Sequence, residues 1–275
     1  MSEITVHHAG VELAADDAGE GIPVVLLHGL TATRRYVVMG SRSLERSGHR
    51  VIAYDARGHG RSSPAASPGA YTYADLGEDL LAVLDDRGID RAVLAGASMG
   101  AHTLLWAALR APERVAGLVV ITPAYDPATH EDEARLARWD ALADGLSSGG
   151  VEGFIAAQGR PDVPESWQET VLKVTRQRLS QHEHPQALAD ALRAVPRSRP
   201  FDTVDALSAI SVPVAVVASA DDPDPGHPQA VGEAYAAAIP GARLVSDQPG
   251  RSPVAWQGSQ LSRLIAEVAA EAGLG

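Results

Sequence analysis

No cysteine occurs anywhere in the 275 residues. Disulfides, thiolate metal sites and a cysteine nucleophile are excluded. A long apolar run is missing as well: no stretch approaches the ~20 residues of a membrane helix. The opening MSEITVHHAGVELAADD lacks the basic start and apolar centre of a secretory leader. The expectation is a soluble, cytoplasmic protein that does not engage a membrane. Positive charge is scarce too, with 23 Lys and Arg against 35 Asp and Glu, a net charge of −12. No basic stripe offsets it, so nucleic acid is excluded as a partner and the acidity reads as a solubility feature.

Cofactor signatures are also absent. Gly58-His59-Gly60 does not continue as a dinucleotide fingerprint, and no phosphate loop is present. His182-Glu183-His184 has the look of a metal pair, but it ends a helix before Pro185 without a third ligand, so a solvated helix end is expected. His7-His8 has no partner in view. Asp221, Asp222 and Asp224 form a carboxylate cluster without further ligands at cation-binding spacing. Neither a cofactor nor a metal is expected.

Apolar residues make up 45% of the chain, enough to bury a sizeable core. The length suits one large α/β domain or two small ones. Six short apolar runs stand out: Val24 to Leu27, Val51 to Tyr54, Ala92 to Ala95, Gly117 to Thr122, Val214 to Ser219 and Ala242 to Val245. They are rich in β-branched residues and do not alternate with polar ones, as in strands of a parallel sheet covered on both faces. The stretch near Val11 reads as an early antiparallel strand. Leu76, Leu80, Leu81 and Leu84 share a helix face, as do Leu261, Leu264, Ile265 and Val268. Such alternation predicts a doubly wound α/β sheet.

One stretch has no strand. From about Pro123 to Pro200 helical segments are expected around 131–146, 150–158, 166–180 and 185–195, punctuated by prolines. Glu131 and Arg135 at i, i+4 would pair on an exposed helix. Because strands resume at Val214, residues 123–200 read as a helical cap inserted into a core of residues 1–122 and 201–275.

The chemistry-bearing motif is Gly96-Ala97-Ser98-Met99-Gly100, between a strand and a helix. A tight turn there strains the serine backbone and lifts its hydroxyl above the sheet. Small flanking residues let strand and helix approach closely. Two more motifs precede it, His28-Gly29-Leu30 and Asp55-Ala56-Arg57-Gly58-His59-Gly60-Arg61-Ser62, each after a strand.

In this order and spacing the three motifs resemble the α/β-hydrolase superfamily, nearest to its cap-bearing esterases, haloperoxidase-like enzymes and C–C bond hydrolases. The likeness runs from Val24 to the last helix. It implies an α/β-hydrolase fold, with a mostly parallel central sheet flanked by helices and an inserted helical cap. It implies Ser98 as nucleophile and the N–H groups of Leu30 and Met99 as oxyanion hole. The acid falls on Asp222, with Asp221 and Asp224 as competitors and Asp126 as a more distant alternative.

The pattern breaks at the base. After the last strand the family has a loop reading G-H-S-P or similar; here Gly250-Arg251-Ser252-Pro253 puts Arg251 in the histidine's place, and no histidine follows His227. A guanidinium stays protonated, with a pKa above about 12, and cannot accept the serine proton. His227, five residues past Asp222, is the first substitute. His102 lies one helical turn beyond Ser98, His28 sits beside the oxyanion loop, and His59 belongs to a turn.

Three functions remain open. One is a hydrolase of carboxylic esters or related small acyl or carbonyl molecules, with Ser98, Asp222 and His227 as the triad. Another is a lyase, isomerase or cyclase using Ser98, the oxyanion hole and Arg251. The third is an inactive protein that binds a ligand or partner. His28, Arg251, His102 and Trp139 are the substrate-binding candidates. Trp139 and Trp167 fall in the cap; for the scattered tryptophans core packing is the default. The partner is a small-molecule substrate, and a homodimer is compatible with the chain.

Overall fold

A computed structural model describes residues 2–220, 224, 226–247 and 252–274. Eight strands form one sheet: β1 (Ser2–His8), β2 (Val11–Ala18), β3 (Ile22–Leu27), β4 (His49–Tyr54), β5 (Ala92–Ala97), β6 (Val115–Ile121), β7 (Val214–Ala218) and β8 (Arg243–Ser246). Their order is β1-β2-β4-β3-β5-β6-β7-β8. β1 and β2 run antiparallel, β2 pairs antiparallel with β4, and the other pairs are parallel. All six apolar runs are strands, and the antiparallel strand expected near Val11 is β2. β1 had no counterpart in the pattern: its polar sequence shows little burial, and it is specified by a hairpin turn in which Ala9 and Gly10 both have positive φ.

The helices are α1 (Ser43–Arg46), α2 (Tyr73–Asp86), α3 (Met99–Arg110), α4 (Glu133–Gln158), α5 (Glu165–Leu179), α6 (Pro185–Ala194), α7 (Gln229–Ala238) and α8 (Gly258–Glu271). The central strands bury both faces. Val93 and Val119 join one core with Leu261 and Ile265 of α8, while their neighbours Leu94 and Leu118 join the other with Leu104 of α3 and Tyr235 of α7. This is the period-two alternation of a strand, invisible in sequence because both faces are apolar.

Between β6 and β7 the described residues hold α4, α5 and α6 and no strand. α4 is broken at Gly150, whose φ is 60°. Its halves cross where Gly145 and Gly153 meet: a Cβ on Gly145 would lie 2.4 Å from the Gly153 carbonyl oxygen. The expected Glu131–Arg135 pair does not form. Asp132 caps α4 through the Arg135 N–H at 2.7 Å, so Glu131 precedes the helix and pairs with Arg199 instead.

The loop after β4 is a buried polar scaffold. Asp55 accepts from the backbone of Arg34 and Arg61 and pairs with the Arg34 guanidinium. Arg57 holds Asp79 through two 2.7 Å bonds and the Ala70 carbonyl at 2.9 Å. Asp79 is fully buried, and its only other side-chain partner among the described residues is His8, at 2.9 Å. Removing one partner of such a pair strands the other charge without water. Arg57→Met should therefore lower unfolding stability by about 3–5 kcal/mol in urea titrations. A loss below about 1 kcal/mol would show that the Asp79 carboxylate is otherwise satisfied.

Candidate active site

Ser98 sits between β5 and α3 with φ 51° and ψ −112°, a strained conformation for a side-chain-bearing residue. Glycine flanks it of necessity. A Cβ on Gly96 would lie 2.4 Å from Gly100 backbone, and one on Gly100 would lie 2.2 Å from the Leu27 carbonyl oxygen. The turn is held by the Ser98 N–H donating to Ile121 at 2.9 Å. Ser98 Oγ has no hydrogen-bond partner among the described residues, nor do the N–H groups of Leu30 and Met99. All three residues line one cavity of about 410 Å³, part of it open to solvent, together with Tyr73, Arg135 and Trp139. Ser98 and the two residues with unpaired N–H groups thus border one space.

Three buried histidines brace the oxyanion loop. His28 Nδ1 donates to the Gly29 carbonyl at 2.8 Å, while its Nε2 accepts from the Ala56 N–H at 2.9 Å. His59 places Nε2 2.8 Å from the Leu30 carbonyl oxygen. His182 Nε2 reaches the Thr31 carbonyl at 3.3 Å, and its Nδ1 accepts from the Gly60 N–H at 2.9 Å. In a trans peptide the C=O and N–H point opposite ways. Holding the Gly29 carbonyl with His28 therefore turns the Leu30 N–H away from the His28 ring. His28 and His182 are pushed down to about 3, chiefly by burial. They are neutral and fully engaged, so neither can serve as the base, and His28 does not line the Ser98 cavity. The reading of His182 as a solvated helix end is corrected: it is 9% exposed and ties the segment after α5 to the loops after β3 and β4.

His102 lines the cavity with Ser98, but its nitrogens are also taken. Nε2 accepts from the N–H groups of Ala124 and Tyr125 at 3.1 Å each, and Nδ1 lies 2.9 Å from Tyr73 Oη. Burial drives its pKa down to about 3. His227 differs. Its Nδ1 lies 2.8 Å from Asp224 Oδ1, and its Nε2 has no partner among the described residues. It lies close enough that its charge adds to the depression of His102.

Asp221, Asp222 and Arg251 lie outside the described residues. The flanks of the last two are tied together: Asp247 accepts from the Ala220 N–H at 2.9 Å and the Val254 N–H at 2.7 Å, joining the chain after β7 to the chain after β8. Asp126 accepts from the Ala128 N–H at 2.9 Å, closing a local turn. Trp139 lines the cavity, whereas Trp167 stacks on Trp256 with ring centroids 5.6 Å apart. Tyr73, Arg135 and Ser198 also line the cavity. They carry no motif that marks a site, and in the sequence Arg135 stands only as half of an i, i+4 helical pair. Among the described residues no group of three or more metal-ligating side chains assembles, and no helix is long and apolar enough to cross a membrane.

Known proteins share this fold. A protein of Variovorax paradoxus named as a carbamate hydrolase, RutD, is 33% identical over 207 residues, spanning 74% of this chain and 75% of its own. A 3-oxoadipate enol-lactonase of Acinetobacter baylyi is 29% identical over 181 residues, 65% of this chain and 63% of that protein. Among solved structures, a thermophilic esterase from Thermogutta terrifontis superposes with TM-score 0.81 at 27% identity, covering 99% of both chains. Residues 22–212 match the family described as the alpha/beta hydrolase fold. With its sheet order, its serine turn and these hydrolase relatives, the chain belongs to the α/β-hydrolase family.

Proposed function

We propose that the chain is a serine hydrolase of small carboxylic esters or related acyl compounds, with Ser98 as nucleophile and an Asp224–His227 pair as the base. The observation that carries this reading is that Ser98, with its hydroxyl unpaired among the described residues, lines one cavity with Leu30 and Met99, whose N–H groups are likewise unpaired there. The nearby Asp224–His227 bond, with Nε2 unclaimed, supports the base. Residues 123–200 act as the cap that shapes the acyl site, since Arg135, Trp139 and Ser198 come from that segment.

Ser98 Oγ attacks the substrate carbonyl carbon, and its proton passes to His227 Nε2. Asp224 fixes the tautomer and stabilises the imidazolium. The carbonyl oxygen, now negative, accepts from the Leu30 and Met99 N–H groups. Collapse expels the leaving alcohol, which takes the proton from His227 and leaves an acyl-serine. Water, deprotonated by His227, then releases the acid and restores Ser98. Asp224 takes the role that the family spacing assigned to Asp222. Arg251 holds its charge throughout and moves no proton.

The test is labelling with an activated fluorophosphonate, read by intact mass. The wild type should gain one adduct and Ser98→Ala none, with turnover of a nitrophenyl ester falling by about 10⁴-fold or more. A folded wild type that takes no label would overturn the assignment of Ser98 as an activated nucleophile.

A further inference from the structure

The Ser98 cavity has an electrostatic character that its protein does not share. The chain carries a net charge of −12, yet no carboxylate is among the described residues lining this cavity. Its one charged lining residue is Arg135, near the start of α4. Three other arginines of the helical segment have carboxylate partners: Arg193 with Asp144, Arg197 with Asp140 and Arg199 with Glu131. Arg135 has none among the described residues. Its Nη1 reaches the carbonyls of His130 at 3.3 Å and Pro196 at 3.2 Å, and its Nε and Nη2 make no hydrogen bond there. A guanidinium held by its own carbonyl contacts, with one edge open toward a cavity, is a fork set for a carboxylate.

Two hydroxyls on the same wall have hydrogens to give. His102 accepts at Nε2 from two backbone N–H groups, so its own proton lies on Nδ1 and goes to Tyr73 Oη at 2.9 Å. Tyr73 therefore receives from His102, and its phenolic hydrogen has no acceptor among the described residues. Ser198 Oγ likewise receives, from the Tyr73 N–H at 2.8 Å, and its hydrogen is also unclaimed. Among the described residues the cavity thus presents one fixed cation and two spare O–H donors, with no anion to meet them. An acceptor-rich ligand would pair all three at once.

We propose that the substrate's acyl chain ends in a carboxylate, bound by Arg135 with help from the Tyr73 and Ser198 hydroxyls. The preferred substrates are then half-esters of short dicarboxylic acids. This rests on the hydrolase reading above, to which it adds the acyl group.

The test compares nitrophenyl half-esters of succinate and glutarate with the nitrophenyl esters of butyrate and valerate, their uncharged counterparts. In the wild type kcat/KM should favour the half-esters by at least about tenfold, mainly through KM. Arg135→Met should bring the ratio near one, Arg135→Lys should keep part of it, and added salt should shrink it. A wild-type ratio near one would overturn the proposal. So would equal losses on both esters in Arg135→Met with no change in their ratio, which would make Arg135 only a tie to the His130 and Pro196 carbonyls. If the wild type turned over neither ester, the hydrolase reading would fail by itself, and calorimetry of glutarate with the Ser98→Ala protein would decide the anion site. Binding that disappears on adding Arg135→Met supports the site, and no binding overturns it.

Discussion

Replacing His227 by alanine lowers kcat for ester hydrolysis by about 10²–10⁴-fold, the usual contribution of a positioned general base. Hydrogen bonding sets the other imidazoles aside. His28, His102 and His182 each have both ring nitrogens engaged inside the protein. His59 has both nitrogens 2.8 Å from carbonyl oxygens, those of Arg57 and Leu30. His227 instead combines a carboxylate on one nitrogen with no partner on the other among the described residues. Added imidazole should return part of the activity to His227→Ala and none to Ser98→Ala. Asp224→Asn should cost up to about 10⁴-fold by letting the ring take the wrong tautomer. Full activity in His227→Ala would remove the Asp224–His227 pair from the mechanism and return attention to the residues around Arg251.

Acid should destabilise the protein steeply well before its carboxylates titrate. His28, His102 and His182 are held near 3 by burial, against 6.5 for a free imidazole. A histidine whose folded pKa is depressed stays neutral in the native state while the unfolded chain takes up a proton. Its contribution to stability is complete above pH 6.5 and is lost as pH falls toward 3. Between pH 6 and 5 each such residue removes about 1.4 kcal/mol per pH unit, so the three together remove about 4. Depressed carboxylates such as Asp17, lowered by its bonds to Arg50 and Arg87, act only below their ordinary values near 4. The window from pH 6 to 5 therefore isolates the histidines. Urea denaturation across it should show the unfolded chain binding about three more protons than the folded one. An uptake of one or fewer would mean that these imidazoles are charged in the native state, contrary to their backbone bonds. Because His28 and His182 stay neutral in the native state until pH nears 3, their bonds to the Gly29 and Thr31 carbonyls should persist across this window in whatever protein remains folded.

The readability of the molecule follows from how local each signal is. The strands were legible because an apolar run such as Val115–Ile121 is buried on both faces wherever the chain places it. The serine turn was legible because backbone strain at Ser98 and close approach at Gly96 and Gly100 demand fixed residue types at fixed offsets. β1 was not legible: an edge strand half in water needs no apolar pattern, only a partner and a turn. His182 was misread because its burial depends on contact with Gly60 and Thr31, over a hundred positions away. Arg135 was read as one half of an exposed helical pair, since spacing shows neither where a helix is capped nor which side faces a cavity.

By itself the sequence determined the α/β-hydrolase fold and the tight turn at Ser98, and it placed Arg251 where a histidine was expected. Each follows from residue type at short range: burial, backbone strain, or a guanidinium's inability to take a proton. Tertiary structure alone decided which histidine keeps an open nitrogen, which carboxylate meets it, and which arginine is left without a counterion in the Ser98 cavity. Those are questions of who hydrogen-bonds to whom across distant segments. An imidazole or guanidinium has the same chemistry everywhere, and only its partners in the folded chain determine whether it braces a loop, moves a proton or waits for a substrate.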